Sequence, residues 1–121
     1  MKYALPLALA VLTMANAHAA DIQAGKELFN TRCASCHHVG PSARAAFGPQ
    51  LNGIFGRKAG STSDYRYSDA MKASPIVWND TTLRAFVGAP GKTVPGTKMR
   101  FWGMSDQRQV DDLLAYLRTF Q

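Results

Sequence analysis

Beyond residue 20, apolar side chains recur at helical spacing in a few separated stretches, and long hydrophobic runs are scarce. The clearest stretch is the last. Val110, Leu113, Leu114, Leu117 and Phe120 share one face at a period near 3.6, which predicts an amphipathic helix. Ser105-Asp106 precedes it, and Gln109 lies three residues after Asp106, the arrangement of a capping box. Leu83, Phe86 and Val87 follow the same spacing after Asn79-Asp80, predicting a helix over residues 80–87 that Gly88 and Pro90 close. Near the start, Asp21 is a capping residue for a helix running from Ile22 toward Cys33, with Ile22, Leu28, Phe29 and Cys33 facing inward. Gly25 within it fits either a close backbone approach or a frayed first turn. Ser68 or Asp69 caps a shorter helix over 69–73, ended by Ser74-Pro75.

Residues 38–60 carry no sustained period and are rich in Gly, Pro, Ser and Arg, which predicts a loop. Apolar residues sit among its turn formers, in Phe47-Gly48-Pro49 and in Leu51-Asn52-Gly53-Ile54-Phe55-Gly56-Arg57, so the loop can wrap a flat cofactor without regular structure of its own. Neither an internal repeat nor a strand-like alternation is visible. The expectation is one all-α domain of three main helices, with short helices and long loops.

The first twenty residues read differently. Lys2 gives a positive start, residues 4–14 form an apolar run too short for a bilayer span, and Ala17-His18-Ala19 supplies small residues at a cleavage site. Residues 1–20 are therefore expected to be a signal peptide, cut after Ala19 or Ala20, and 21–121 the domain. Export implies the periplasm, and His18 leaves with the leader. The chain carries a net charge of +6, of which only Lys2 lies in the leader. Such a balance admits nucleic acid, an anionic membrane or an acidic protein surface as partner. Export disfavours the first, no later segment is apolar enough for membrane insertion, and the scattered cations suit an ordinary solvated surface.

Chemistry is concentrated at Cys33-Ala34-Ser35-Cys36-His37. Two thiols separated by one helical turn, with a histidine directly after, read as a c-type haem attachment site. The turn lets both sulfurs reach neighbouring vinyl groups of one porphyrin, and it carries His37 beneath the ring. Structural zinc would need further ligands than the two cysteines the chain contains. A thioredoxin-like pair would need a βαβ context, and a disulfide here would close too small a loop to stabilise much. His38 cannot reach the opposite face of a ring that His37 binds, so it is expected to be exposed. For the second face the candidates are Met71, Met99, Met104 or nothing. Met99 stands out because Val94-Pro95-Gly96-Thr97-Lys98-Met99 is a stiff non-helical loop able to present a soft thioether to haem iron. Met71 and Met104 are assigned to packing.

In this ordered series the chain resembles the class I cytochromes c, the mitochondrial type and its bacterial periplasmic relatives. The series runs from Gly25 and Phe29 through the Cys33–His37 motif, Gly48-Pro49, the 51–60 segment, Tyr65 to Ala70, Trp78, Pro95 to Met99 and Phe101 to Asp112-Leu113-Leu114-Ala115-Tyr116-Leu117. The resemblance implies the cytochrome c fold around one covalent haem c. It implies that the first and last helices cross at Gly25, with Phe29, Leu113 and Tyr116 packing there. It implies that the Pro49 carbonyl accepts a hydrogen bond from His37, and that Arg57, Tyr67 and Trp78 hold or neutralise the propionates. Thr97 adds a hydroxyl near that edge and Phe101 shields the methionine side. Phe86 and Met71 depart from the mitochondrial pattern, which commonly has a tyrosine and an asparagine there.

The function expected is a monomeric periplasmic electron carrier rather than an enzyme, because His37 and Met99 would fill both axial positions. Its donor would be a quinol-oxidising complex or a dehydrogenase; its acceptor would be an oxidase, a peroxidase or a photosynthetic reaction centre. Partners would dock at a haem edge ringed by Arg32, Lys92, Lys98 and Arg100. The alternatives are a haem peroxidase or gas-binding cytochrome with an open sixth position, and a haem subunit dedicated to one dehydrogenase.

Overall fold

A computed structural model describes residues 19–121. The expected signal peptide lies almost entirely outside the described residues. Five helices follow one another: α1 (Ile22–Arg32), α2 (Asp69–Ala73), α3 (Asp80–Gly88), α4 (Pro90–Thr93) and α5 (Gln107–Arg118). No strand occurs among the described residues; one isolated antiparallel bridge pairs Lys58 with Val77.

Local chemistry sets most of the helix starts. The Asp21 carboxylate accepts the Ala24 N–H at 3.1 Å, and Ser68 caps α2 in the same way through Met71. Asn79 and Thr82 form a reciprocal capping box on α3. Each such contact satisfies an amide that the first turn leaves without a partner. Asp106 caps α5 by accepting from both Arg108 and Gln109, so the amides are met without the expected return bond from the Gln109 side chain.

Two further details depart from the sequence reading. Pro90 does not merely stop α3: it opens α4, where its missing N–H costs nothing at the first helical position. Ile22 is 51% exposed, because it lies a turn ahead of the place where α1 is covered by α5. Phe120 falls just beyond the end of α5, half-buried, with its ring edge-on to Tyr116 at 5.0 Å.

The α1–α5 crossing is the frame. Gly25 is buried against the backbone of α5, and a Cβ at this position would collide with the Asp112 carbonyl and stand 2.9 Å from the Tyr116 Cβ. The close-approach reading of Gly25 therefore holds. Phe29 and Tyr116 pack beside it with ring centroids 5.7 Å apart. Val110, Leu113, Leu114 and Leu117 form the buried stripe of α5, as their spacing predicts. α3 is held to α5 by charges at the surface, with Asp80 paired to Arg84 and Arg118, and Arg84 to Asp111. The Arg84 guanidinium, by hydrogen bonding, keeps the Asp80 carboxyl below its ordinary range. Arg118 also lies over the Phe55 ring at 4.1 Å, tying the end of α5 to the long loop.

That loop is closed by backbone bonds rather than by a sheet. Gly56 donates to Trp78 at 2.7 Å, Trp78 to Arg57 at 2.9 Å, and Ala59 to Ile76 at 2.8 Å. Asn52 and Gly40 exchange two hydrogen bonds of 2.8 Å across the segment. The loop thereby curves back over the helices and leaves an apolar hollow between them.

Replacing Gly25 with alanine forces two helix backbones apart. We expect Gly25→Ala to lose about 3 kcal/mol, the upper end of the overpacking range, read as a lower denaturant midpoint with unchanged slope in guanidinium unfolding of the haem-bearing protein.

Candidate haem site

The hollow is a cavity of about 410 Å³, and its wall is predominantly apolar. One side is built by the end of α1. Cys36 and His37 donate to the Cys33 carbonyl at 3.0 and 2.9 Å, so one further tight turn carries both thiols and the imidazole onto the cavity wall. Elsewhere the wall is formed by the 94–101 loop. Gly96 takes φ +91°, in the left-handed region, and Thr97 Oγ1 accepts the Met99 N–H at 3.3 Å. This local bond and the turn fix the segment that bears Met99.

All ten residues singled out from the sequence line this one cavity: Cys33, Cys36, His37, Pro49, Arg57, Tyr67, Trp78, Thr97, Met99 and Phe101. They come from separate parts of the chain, and the fold brings every one of them to the same space. His38 is exposed, as expected. Met71 and Met104 are buried, 8% and 2% exposed; Met71 also contributes to the cavity wall.

His37 is held in a defined state. Its Nδ1–H donates to the Pro49 carbonyl at 2.8 Å, which leaves Nε2 as the nitrogen available to a metal. Burial lowers its pKa, more than the Pro49 bond raises it, so the ring is neutral at neutral pH. Gly48 makes the seat. A Cβ there would lie 2.6 Å from His37 Cε1, so only glycine lets the backbone pass under the ring. Cys33 and Cys36 are not joined to each other in a disulfide. Burial pushes the Cys33 thiol up to about 11, against the lowering effect of Arg32. No group of three or more potential ligands among His, Cys, Asp and Glu occurs among the described residues, so the two thiols fall short of a structural zinc set.

Several polar groups at the cavity are anchored. Arg57 donates from Nη1 to the Gln50 carbonyl at 2.7 Å and from Nη2 to the Asn52 carbonyl. The Tyr67 hydroxyl and Thr62 Oγ1 are 2.5 Å apart, and Tyr65 packs edge-on to Tyr67 at 4.8 Å. Trp78 stacks at a tilt on Phe86, centroids 5.0 Å apart. Gln50, Asn52 and Thr62 were not anticipated from the sequence. The backbone acceptors of Arg57 leave no residue-type signal; Thr62 stands five residues before Tyr67 in a loop with no periodicity to pair them. Gly48 stands in the sequence among the turn formers and in the Gly48-Pro49 pair of the resemblance, and its contact with His37 appears only in three dimensions. At the mouth, the Arg32 guanidinium lies 5.3 Å over the Phe101 ring. Phe47, placed by its sequence context in a cofactor-wrapping loop, lines the mouth but is 84% exposed.

This donor set fits a covalently attached haem. Paired thiols, an oriented neutral imidazole and a thioether converge on apolar space, with a glycine hollowed out for the imidazole.

Known proteins agree. The sequence profile described as cytochrome c matches residues 22–121. Cytochrome c2 of Rhodoblastus acidophilus is 44% identical over 103 residues, 85% of this chain and 95% of its own. Cytochrome c2 of Blastochloris viridis is 40% identical over 119 residues, 98% of this chain and 93% of its own. Among solved structures, cytochrome cH from Methylobacterium extorquens matches with a TM-score of 0.76 and 42% identity, covering 83% of this chain and 99% of that one.

Gly48→Ala places a methyl group against the imidazole. We expect it to displace His37 and to destabilise the haem-bearing protein by about 1–3 kcal/mol, seen as a lower melting midpoint together with an altered visible spectrum.

Proposed function

The chain belongs to the cytochrome c family and binds one covalently attached haem c, and on that premise we propose that it is a diffusible periplasmic carrier of single electrons whose iron lies between His37 and Met99. The observation that carries this reading is the convergence of Cys33, Cys36, His37 and Met99 on one cavity. When bound, the haem supplies a one-electron ferric–ferrous couple. The chain's own residues set the conditions for its use. The Pro49 carbonyl orients His37 and strengthens it as a donor. The Met99 loop offers a thioether, which favours the ferrous form and raises the potential. With His37 and Met99 both given to the iron, no position would be left for a substrate, and this supports a carrier over a peroxidase or gas binder.

The remaining roles follow from placement. Arg57, Tyr67 and Trp78 line the cavity and are the groups assigned to the propionates, since carboxylates beside apolar walls need a cation or hydrogen bonds. Thr97 holds the Met99 segment and Phe101 covers its side of the cavity. Arg32, Lys92, Lys98 and Arg100 are exposed, and they form the basic edge at which an acidic redox partner docks. No helix among the described residues is long and apolar enough to cross a membrane. Donors of the quinol-oxidising or dehydrogenase class, and acceptors of the oxidase, peroxidase or reaction-centre class, suit such an edge.

Phe86 and Met71 both stand in the cavity wall, 8% exposed each, and neither brings a hydroxyl or amide to it. The pocket near Met99 is accordingly drier than one with polar groups at these positions.

Two measurements test this reading. Met99→Ala should open the sixth position, so that the ferrous protein binds carbon monoxide rapidly. Its midpoint potential should fall by more than about 0.1 V, within the roughly 0.8 V over which axial ligands move haem potentials; an unchanged low-spin spectrum and potential would exclude Met99 as ligand. Phe86→Tyr should change both the midpoint potential and the pH at which alkaline ligand exchange occurs, and no change in either would contradict the dry-pocket account.

A further inference from the structure

Asp112 is the one charged side chain buried among the described residues, 7% exposed. It does not line the haem cavity. It sits on α5 opposite Gly25, and its Oδ1 accepts the backbone N–H of Asp21 at 2.7 Å, a bond between residues 91 apart in sequence. No arginine, lysine or histidine among the described residues forms an ion pair with it. A buried carboxylate whose hydrogen-bond partner is a neutral amide is costly, and such groups are ordinarily matched by a cation.

The missing cation has a source in the chain itself. On the export reading above, on which this inference rests, a signal peptidase cuts after Ala19 or Ala20; the second cut makes the Asp21 nitrogen on Asp112 itself the ammonium, and the first hydrolyses the Ala19–Ala20 bond. Water adds across the amide, Ala19 departs with the new carboxylate, and Ala20 keeps the nitrogen as an ammonium. That nitrogen is one residue ahead of the amide already on Asp112, a span of no more than about 3.6 Å along the chain. We propose that Asp112 is the receptor for the mature amino terminus, a buried carboxylate that leader removal completes by supplying its counter-charge.

The pairing answers two electrostatic problems at once. A free ammonium at the start of α1 opposes the positive end of the helix dipole, and Asp112 offsets it. Asp112 in turn gains an opposite charge in place of a dipole alone. The result links the first residues of the mature chain to α5 at the crossing that seats Gly25. The other charged groups facing this place are the Asp21 carboxylate, which caps Ala24, and Glu27, which lines the shallow groove beside Asp112 with Gln109. Arg108 lies one turn before Asp112 on α5, and Tyr116 one turn after it.

An ammonium paired in the folded state titrates higher there than in the unfolded chain. Its contribution is thus complete below the ordinary amino-terminal range and is lost as pH rises through the folded value. The test uses the haem-bearing protein matured in a bacterial periplasm, with its α-amine reductively dimethylated by ¹³C-formaldehyde and cyanoborohydride and titrated by NMR. Asp112→Asn keeps an oxygen for the Asp21 amide and removes the charge. We expect the α-amine of the unaltered protein to titrate about one pH unit above that of Asp112→Asn. The gap between their melting midpoints should close as pH rises through that titration. A Gly-Ser pair inserted before Ala20 carries the ammonium away and should abolish the upward shift. Equal titrations in the unaltered and Asp112→Asn proteins, with intact mass giving Ala20 or Asp21 as first residue, would overturn the pairing and leave export untouched. A mass retaining the leader would instead refute the export reading, and this inference with it.

Discussion

The fold is arranged around apolar space that its own side chains do not fill. A domain of this length buries a modest core, and here the middle of that core is a cavity of about 410 Å³. Phe29, Leu83, Phe86, Leu113 and Leu117 pack against one another at its back and face the hollow at its front. An empty apolar cavity forfeits dispersion contacts on every lining atom. A flat, apolar, covalently held group restores those contacts, so the haem is a structural element as well as the redox centre. The scarcity of long hydrophobic runs in the sequence has the same origin: the chain supplies walls, and the cofactor supplies the interior.

Given that division of labour, the architecture needs one rigid frame and one adaptable wrap. The frame is the α1–α5 crossing, where the absence of a side chain at Gly25 lets two backbones meet. It fixes the end of α1, and hence the turn that carries Cys33, Cys36 and His37. The wrap is the segment from residue 38 to 68. It has almost no regular structure, yet it is determined by specific contacts: the Asn52–Gly40 exchange, the Gly56–Trp78 and Ala59–Ile76 bonds, and the Arg57 guanidinium over two carbonyls. Glycines with positive φ at 53, 56 and 60 let it turn where a β-carbon would be strained.

How much of this could be read from residues alone follows the range of each interaction. The starts of α1, α2, α3 and α5 were legible because an N-cap is chemistry between neighbours, and Asp21, Ser68, Asn79 and Asp106 each announce it. The α5 stripe was legible because burial repeats with the helical period. Failures came where a residue type has two local uses or where the partner is distant. Pro90 serves equally as a stop and as a first helical residue. Ile22 has the right phase but lies beyond the stretch of α1 that α5 covers. The attachment motif named the chemistry by itself, and the Met99 loop stood out by its stiffness. The acceptors of Arg57 and the seat beneath His37 did not, because backbone carbonyls and a missing β-carbon have no letter of their own.

The position of Cys33 at the C-cap of α1 makes the prosthetic group an extension of the frame. A group bonded there and enclosed on its other side by the 94–101 loop joins distant parts of the chain at one node. Loosening the crossing of the two terminal helices is therefore felt at the far wall, and loosening that wall is felt at the crossing.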